Sequence, residues 1–149
     1  MLKYLLKAPD PTWAASSPAE AKAENLKIKY LGTAGFIVSD QHRTIVLDPF
    51  ISRPTLTQTF TQPLLSDPEL VRQYIPSADD VLIGHAHYDH ILDAPEVCKQ
   101  TRARLIGSQA TSMYGRSAGL SESQMLETKG REVIDCGEWQ VVGLPSIHG

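Results

Sequence analysis

Seven consecutive residues constrain this chain more than any others: Gly84-His85-Ala86-His87-Tyr88-Asp89-His90. Three of the chain's five histidines fall within six positions, with an aspartate among them. The run just before them, Val81-Leu82-Ile83, is short, branched and apolar, the pattern of a buried strand. The histidines therefore belong on the loop at that strand's end, where functional side chains concentrate. Neutral imidazole and carboxylate are natural ligands of Zn2+, at about 2.0–2.2 Å. Positions two apart in extended chain share a face, so His85 and His87 can grip one ion. Asp89 and His90 follow closely enough to reach a second ion, and two ions about 3.5–4 Å apart would share a bridging water of lowered pKa. One histidine on a polar loop is ordinarily a surface residue; three with an acid at this spacing favour ligation.

The chain around this segment divides in two. Residues 1–25 are rich in Pro, Ala and Ser in their second part and read as an N-terminal arm or linker, with Trp13 pinning it to the body. Residues 26–149 are patterned. Leu26, Ile28 and Tyr30 alternate with Lys27 and Lys29, which predicts a strand with that apolar face half-buried. Phe36-Ile37-Val38 and Thr44-Ile45-Val46-Leu47 predict two more, and three strands so close in sequence predict an antiparallel meander. Residues 49–65 carry three prolines and read as irregular. Helices are expected after Ser66-Asp67-Pro68, ending at Pro76, after Asp93-Ala94-Pro95-Glu96, and from Ser108 to about Arg116. Arg104–Gly107 reads as a strand, and residues 132–134 and 139–142 as a hairpin turning at Asp135-Cys136-Gly137-Glu138. Strands first, then strands alternating with helices, predict a mixed sheet with helices on one face.

Composition excludes some partners and compartments. The chain is 42% hydrophobic and 21% charged, with a net charge of −3. No Lys/Arg cluster offers a phosphate-binding stripe, so duplex nucleic acid is not an expected partner. Cys98 and Cys136 form no CxxC pair and read as small buried apolar residues of a reduced, cytoplasmic protein. No apolar run approaches the roughly 18 residues of a membrane span.

HAHYDH matches the HxHxDH motif of the metallo-β-lactamase superfamily, and the resemblance extends along the chain. Leu31-Gly32-Thr33-Ala34-Gly35-Phe36 resembles the superfamily's early strand and glycine turn. Val46-Leu47-Asp48-Pro49 resembles the strand ending in Asp before the motif. Pro145-Ser146-Ile147-His148-Gly149 resembles the later strand end that supplies a third histidine. The resemblance covers about residues 26–149, and the group most resembled holds metal-dependent hydrolases related to ascorbate-phosphate lactonases and phospholipase-D-like enzymes. It implies that His85, His87 and His148 bind a first metal and Asp89 and His90 a second. Two Zn2+ are implied per complete domain, with Mn2+ or Fe as alternatives. Asp48 would hold a ligand histidine in its metal-binding tautomer, against the plainer reading of a turn-capping Asp. Arg53 is a candidate to approach an anionic substrate, against a solvated loop arginine. Asp93 reads as the cap of the helix after the motif, against a bond to the metal loop; Tyr88 reads as a packing residue, against a place in the pocket lining, and His42 as surface.

The implied fold is an αβ/βα sandwich of two halves, of which this chain covers about the first. The superfamily's later bridging Asp and later His have no counterpart here, and the natural protein is expected to be longer. One sheet face should then be open, with Val46 and Ile83 facing water, a C-terminal half or a second copy in a homo-oligomer. The expected function is metal-dependent hydrolysis of an ester, lactone or phosphodiester bond of a small substrate. A metal-bridging hydroxide would attack, with Asp89 as the catalytic base. The alternatives are a di-iron redox or oxygen-binding member, against which Ala86 argues because that type carries an extra carboxylate in the motif, and an inactive metal-binding fragment.

Overall fold

The computed structural model describes residues 26–145. The N-terminal arm expected at 1–25, Trp13 within it, and His148 lie outside the described residues. Six strands form one mixed sheet in the order β1-β2-β3-β4-β5-β6. They are β1 (Lys27–Gly32), β2 (Gly35–Ser39), β3 (Thr44–Leu47), β4 (Asp80–Leu82), β5 (Arg104–Gly107) and β6 (Met125–Glu127). The first three form the expected antiparallel meander, and β3 to β6 run parallel. Parallel neighbours need crossovers, and the helices supply them. These are α1 (Leu56–Thr61), α2 (Pro68–Tyr74), α3 (Tyr88–Ile91), α4 (Ala94–Thr101) and α5 (Gln109–Ser117). A separate hairpin, β7 (Val133–Cys136) and β8 (Trp139–Val142), follows.

The pleat sorts the side chains between two cores. Leu31, Ile37, Val46, Val81, Ile83 and Leu105 point to the helices and pack with Val71, Ile75, Val97 and Cys98. Ile45 and Ile106, flanked by Leu47 and Leu82, point the other way and pack with Ile134 and Cys136 of the hairpin. Both cysteines are buried with free thiols, as expected, and burial pushes the Cys98 thiol up to about 12.

Two expectations about faces are corrected. Val46 and Ile83 are 0% and 7% exposed, because the helices cover their side of the sheet. The open region is on the opposite face, toward β1. Ile28 and Tyr30, expected half-buried, are 65% and 63% exposed. They stand on the edge strand and on the hairpin's side of the sheet, and the apolar cluster under the hairpin draws on β3, β4 and β5. On the helix side of β1 stand Lys27, Leu31, which is buried, and Lys29, whose Nζ donates to the Tyr74 carbonyl at 3.2 Å.

Helix starts follow their caps. Asp67 accepts from the Glu69 and Leu70 amides at the start of α2, and Ser108 accepts from Thr111 at the start of α5. The segment expected to be irregular contains α1, held by a capping box between Thr55 and Gln58. The short strand β6 was likewise not expected; two of its three residues are exposed and give no alternation to read. Asp80, fully buried at the start of β4, accepts from Arg43 at 2.7 Å and from Arg104 at 2.6 Å. Arg104 also donates to the Asp135 carbonyl and so ties the hairpin to the sheet.

Candidate metal centre

The site is assembled where β3 and β4 end side by side. The Asp48 amide donates to the Leu82 carbonyl at 3.0 Å, which fixes the end of β3 against β4. The chain at Asp48 turns with φ of 40°, in the left-handed region that few non-glycine residues adopt. This aims the carboxylate back across the strand ends. Oδ1 accepts from the Gly84 amide at 2.7 Å and Oδ2 lies 2.9 Å from His90 Nδ1. A Cβ at position 84 would sit 3.1 Å from Asp48 Oδ2, so glycine there permits the approach.

Beyond Gly84 the chain has no regular element until His87, which occupies the N-cap position of α3 in an extended conformation with φ −84° and ψ 152°. The amides of His90 and Ile91 then bond back to the His87 carbonyl at 3.0 and 3.1 Å. The histidine segment is therefore not a loop throughout: Asp89 and His90 ride on the first turn of a helix. This conformational switch folds His90 over His85. The His85 and His90 ring centroids are 3.8 Å apart, and those of His85 and His87 are 4.6 Å apart in an edge-on arrangement. Asp89 Oδ2 lies 3.7 Å from His90 Nε2. Three imidazoles and a carboxylate thus meet at one strand end.

Among the described residues, no three His, Cys, Asp or Glu side chains form a closed ligand set. The donor chemistry nevertheless suits a divalent transition metal, which takes imidazole nitrogen and carboxylate oxygen. With Asp48 accepting at Nδ1, the His90 lone pair resides on Nε2, on the side of Asp89.

Other predicted residues lie elsewhere. Arg53 lines a cavity that contains none of the motif residues; its Nε donates to the Phe50 carbonyl at 3.2 Å and its Nη2 to the Leu31 carbonyl. Tyr88 is partly exposed and meets Phe50 edge-on at 5.9 Å. His42 is exposed in the turn between β2 and β3. Asp93 occupies the N-cap position of α4, but its side chain makes no cap bond, which corrects the expectation. Its buried carboxylate instead accepts from the amides of Ile51 and Ser52 and from the hydroxyls of Ser52 and Ser66. The backbone of Asp93 is helical, with φ −91° and ψ −10°, rather than extended as a capping residue's is, and its carboxylate serves this distant segment instead of the helix amides.

A cleft of about 640 Å³ opens beside His85, between the strand ends and β8. Phe36, Leu47 and Leu82 give it apolar walls, and Ser108, Thr128 and Lys129 give it polar ones. No signal in the sequence pointed to Lys129, which lies 39 residues beyond the motif.

A family model described as a beta-lactamase superfamily domain matches residues 43–146. The chain is 30% identical over 121 residues to a UPF0173 metal-dependent hydrolase of Methanopyrus kandleri, a match covering 76% of this chain and 47% of that protein. It is 31% identical over 113 residues to one of Methylacidiphilum infernorum, covering 76% of this chain and 45% of the relative. The chain spans about half the length of the curated relatives it matches. Among solved structures it resembles Igni18, a metallo hydrolase from Ignicoccus hospitalis, with a TM-score of 0.53 and 24% identity over 74% of this chain and 42% of that one. It also resembles CmlA, a diiron β-hydroxylase from Streptomyces venezuelae, with a TM-score of 0.58 and 23% identity over 83% of this chain and 24% of that one. Likeness at this level of identity speaks for the fold alone.

Proposed function

The chain belongs to the beta-lactamase superfamily, and on that premise we propose that it carries the metal-binding half of a hydrolase acting on an ester, lactone or phosphodiester bond of a small substrate. The observation that carries this reading is the gathering of His85, His87, Asp89 and His90 at the end of β4, with Asp48 bonded to His90 behind them. His85 and His87, with His148, would hold a first divalent ion, and Asp89 and His90 a second. Zn2+ suits this nitrogen-and-oxygen donor set best, with Mn2+ or Fe as alternatives. Such ions supply an acidified water as nucleophile and polarise the oxygen of the bond under attack.

The chain's own residues do the rest. Asp48 accepts hydrogen bonds from His90 Nδ1 and from the Gly84 amide together, which holds His90 in one tautomer and orientation. Asp89, whose side chain is partly open to solvent, takes the proton of the attacking water. The cleft beside His85 receives the substrate, its apolar walls excluding water from the reacting bond. Lys129 in the cleft's polar wall offsets negative charge that develops as the bond breaks. Relatives named as metal-dependent hydrolases favour hydrolysis over the redox alternative.

Asp89→Asn tests the reading. It keeps size and removes charge and basicity. In the full-length protein we expect the variant to retain one bound ion of about two, and hydrolysis of a generic phosphodiester or lactone to fall about 10²–10⁴-fold. Metal analysis and rate measurement on the same samples check both. An unchanged rate in a variant that has lost an ion would remove Asp89 from the chemistry.

A further inference from the structure

A second cavity, of about 300 Å³, opens between β1, the segment after β3, and α2. Lys29, Arg53 and Tyr74 line it together with the apolar side chains of Leu31, Ile51 and Leu70. None of the metal-centre residues lines it, so it is separate from the cleft beside His85.

Its two cations are held in place by groups that do not neutralise them. Lys29 Nζ donates to the Tyr74 carbonyl at 3.2 Å and lies 5.5 Å from the Tyr74 ring centroid. Arg53 is held by carbonyls of Phe50 and Leu31. Its guanidinium lies where a side chain at Gly32 would stand, since a Cβ there would fall 1.7 Å from Nη2. The backbone at Arg53 has φ of 33°, a strained conformation that persists only where its surroundings over-determine it. Among the described residues, neither cation has a carboxylate partner, and no carboxylate lines the cavity.

An ammonium has three donors and a guanidinium five, so each cation keeps donors beyond those spent on carbonyls. Both side chains are exposed, so water screens their repulsion, and an anion bound between them would meet two positive charges at once. The apolar lining adds a surface that a bare inorganic ion would leave unused, and the volume matches the small end of ligand pockets, roughly 300 Å³. We propose that this cavity binds a small organic anion, its carboxylate between Lys29 and Arg53 and its apolar body against Leu31, Ile51 and Leu70. The site stands independently of any hydrolysis at the metal centre.

The test titrates para-fluorobenzoate into the full chain and follows its fluorine NMR signal. Saturable binding is expected, with para-fluorobenzamide, the uncharged isostere, giving none. Lys29→Met keeps the length of the stem and removes the charge, and should weaken binding about tenfold, the effect of losing one charge-assisted hydrogen bond. Arg53→Gln should do the same; should that variant fail to fold, Lys29→Met carries the test alone. A carboxylate bound at the metal centre would behave in the opposite way, vanishing in His85→Ala/His87→Ala and surviving Lys29→Met. That pattern, equal binding of the benzamide, or no saturable binding at all overturns the proposal. Binding that persists in the histidine variant and fails in Lys29→Met supports it, whatever the outcome at Asp89.

Discussion

Asp80 is fully buried and yet ionised, because two guanidiniums meet it. Burial pushes its carboxyl up, but the hydrogen bonds and charges of Arg104 and Arg43 outweigh that and hold it below its ordinary value of 3.8. A carboxyl depressed in the fold contributes stability that is present above 3.8 and lost as pH falls through the lower folded value. Asp80→Asn should cost about 3–5 kcal/mol near neutrality, since it leaves two guanidiniums facing a neutral amide. The gap between wild type and variant should narrow as pH falls below 3.8, where the unfolded carboxyl takes up its proton while the folded one is still ionised, until the folded carboxyl is neutral as well. Urea denaturation of both proteins across acidic and neutral pH measures this, and a gap independent of pH would contradict it. Nothing local in the sequence marks the residue. Its role depends on Arg43 and Arg104, 37 and 24 residues away.

At the scale of elements, the segment between β3 and α2 shows how local signals and distant anchors divide the work. Its helix α1 could have been read from Thr55 and Gln58, a capping box that the prolines on either side obscured. Leu56 and Phe60 lie four apart on one face of α1, but both are exposed, so no core contact explains its position. The anchor is Asp93, which gathers the Ile51 and Ser52 amides and the Ser52 and Ser66 hydroxyls into one buried carboxylate. Asp93→Ala would leave these donors without an acceptor, at about 1–3 kcal/mol for each that stays dry. We expect the Ile51 and Ser52 amides to lose hydrogen-exchange protection and proteases to cut residues 54–65 faster, while β4 and β5 keep their protection. Unchanged exchange at Ile51 and Ser52 would show that packing alone holds the segment.

At the scale of the whole molecule, the described residues form a sheet whose middle strands are covered by helices on one face and by a hairpin on the other. Helices close the first face over Val46, Val81 and Leu105. The β7–β8 hairpin closes only the middle of the second and leaves Ile28, Tyr30 and Leu126 exposed. Apolar area in water costs roughly 25 cal/mol per Å², so the chain gains by covering this region with further chain or with a second copy. By itself the chain is expected to self-associate through it. Sedimentation velocity over a range of concentrations should show association in the wild type and a monomer in an Ile28→Lys/Tyr30→Lys variant. A wild type that stays monomeric throughout would show that the exposed apolar residues are too scattered to drive contact. Among the described residues, no helix is long and apolar enough to cross a membrane.

The sequence by itself determined what depends on near neighbours. His85, His87, Asp89 and His90 lie within six positions, so any compact conformation of that segment brings them close, and the strands at 36–38 and 44–47 follow from short apolar runs bounded by turn residues. Helix starts at Asp67 and Ser108 are equally local, since a cap acts over three residues. Tertiary structure decided what depends on which element covers which. Alternation along β1 marks two faces but not which of them is covered; the helices take the side of Leu31, and Ile28 and Tyr30 are left on the other. A buried aspartate takes the donors that reach it, so Asp93 serves a distant segment although it stands where a cap would, and Arg53 turns to carbonyls of Leu31 and Phe50 and a cavity of its own. Periodicity travels along the backbone, whereas burial and charge pairing are set by elements that meet only once the chain has closed on itself.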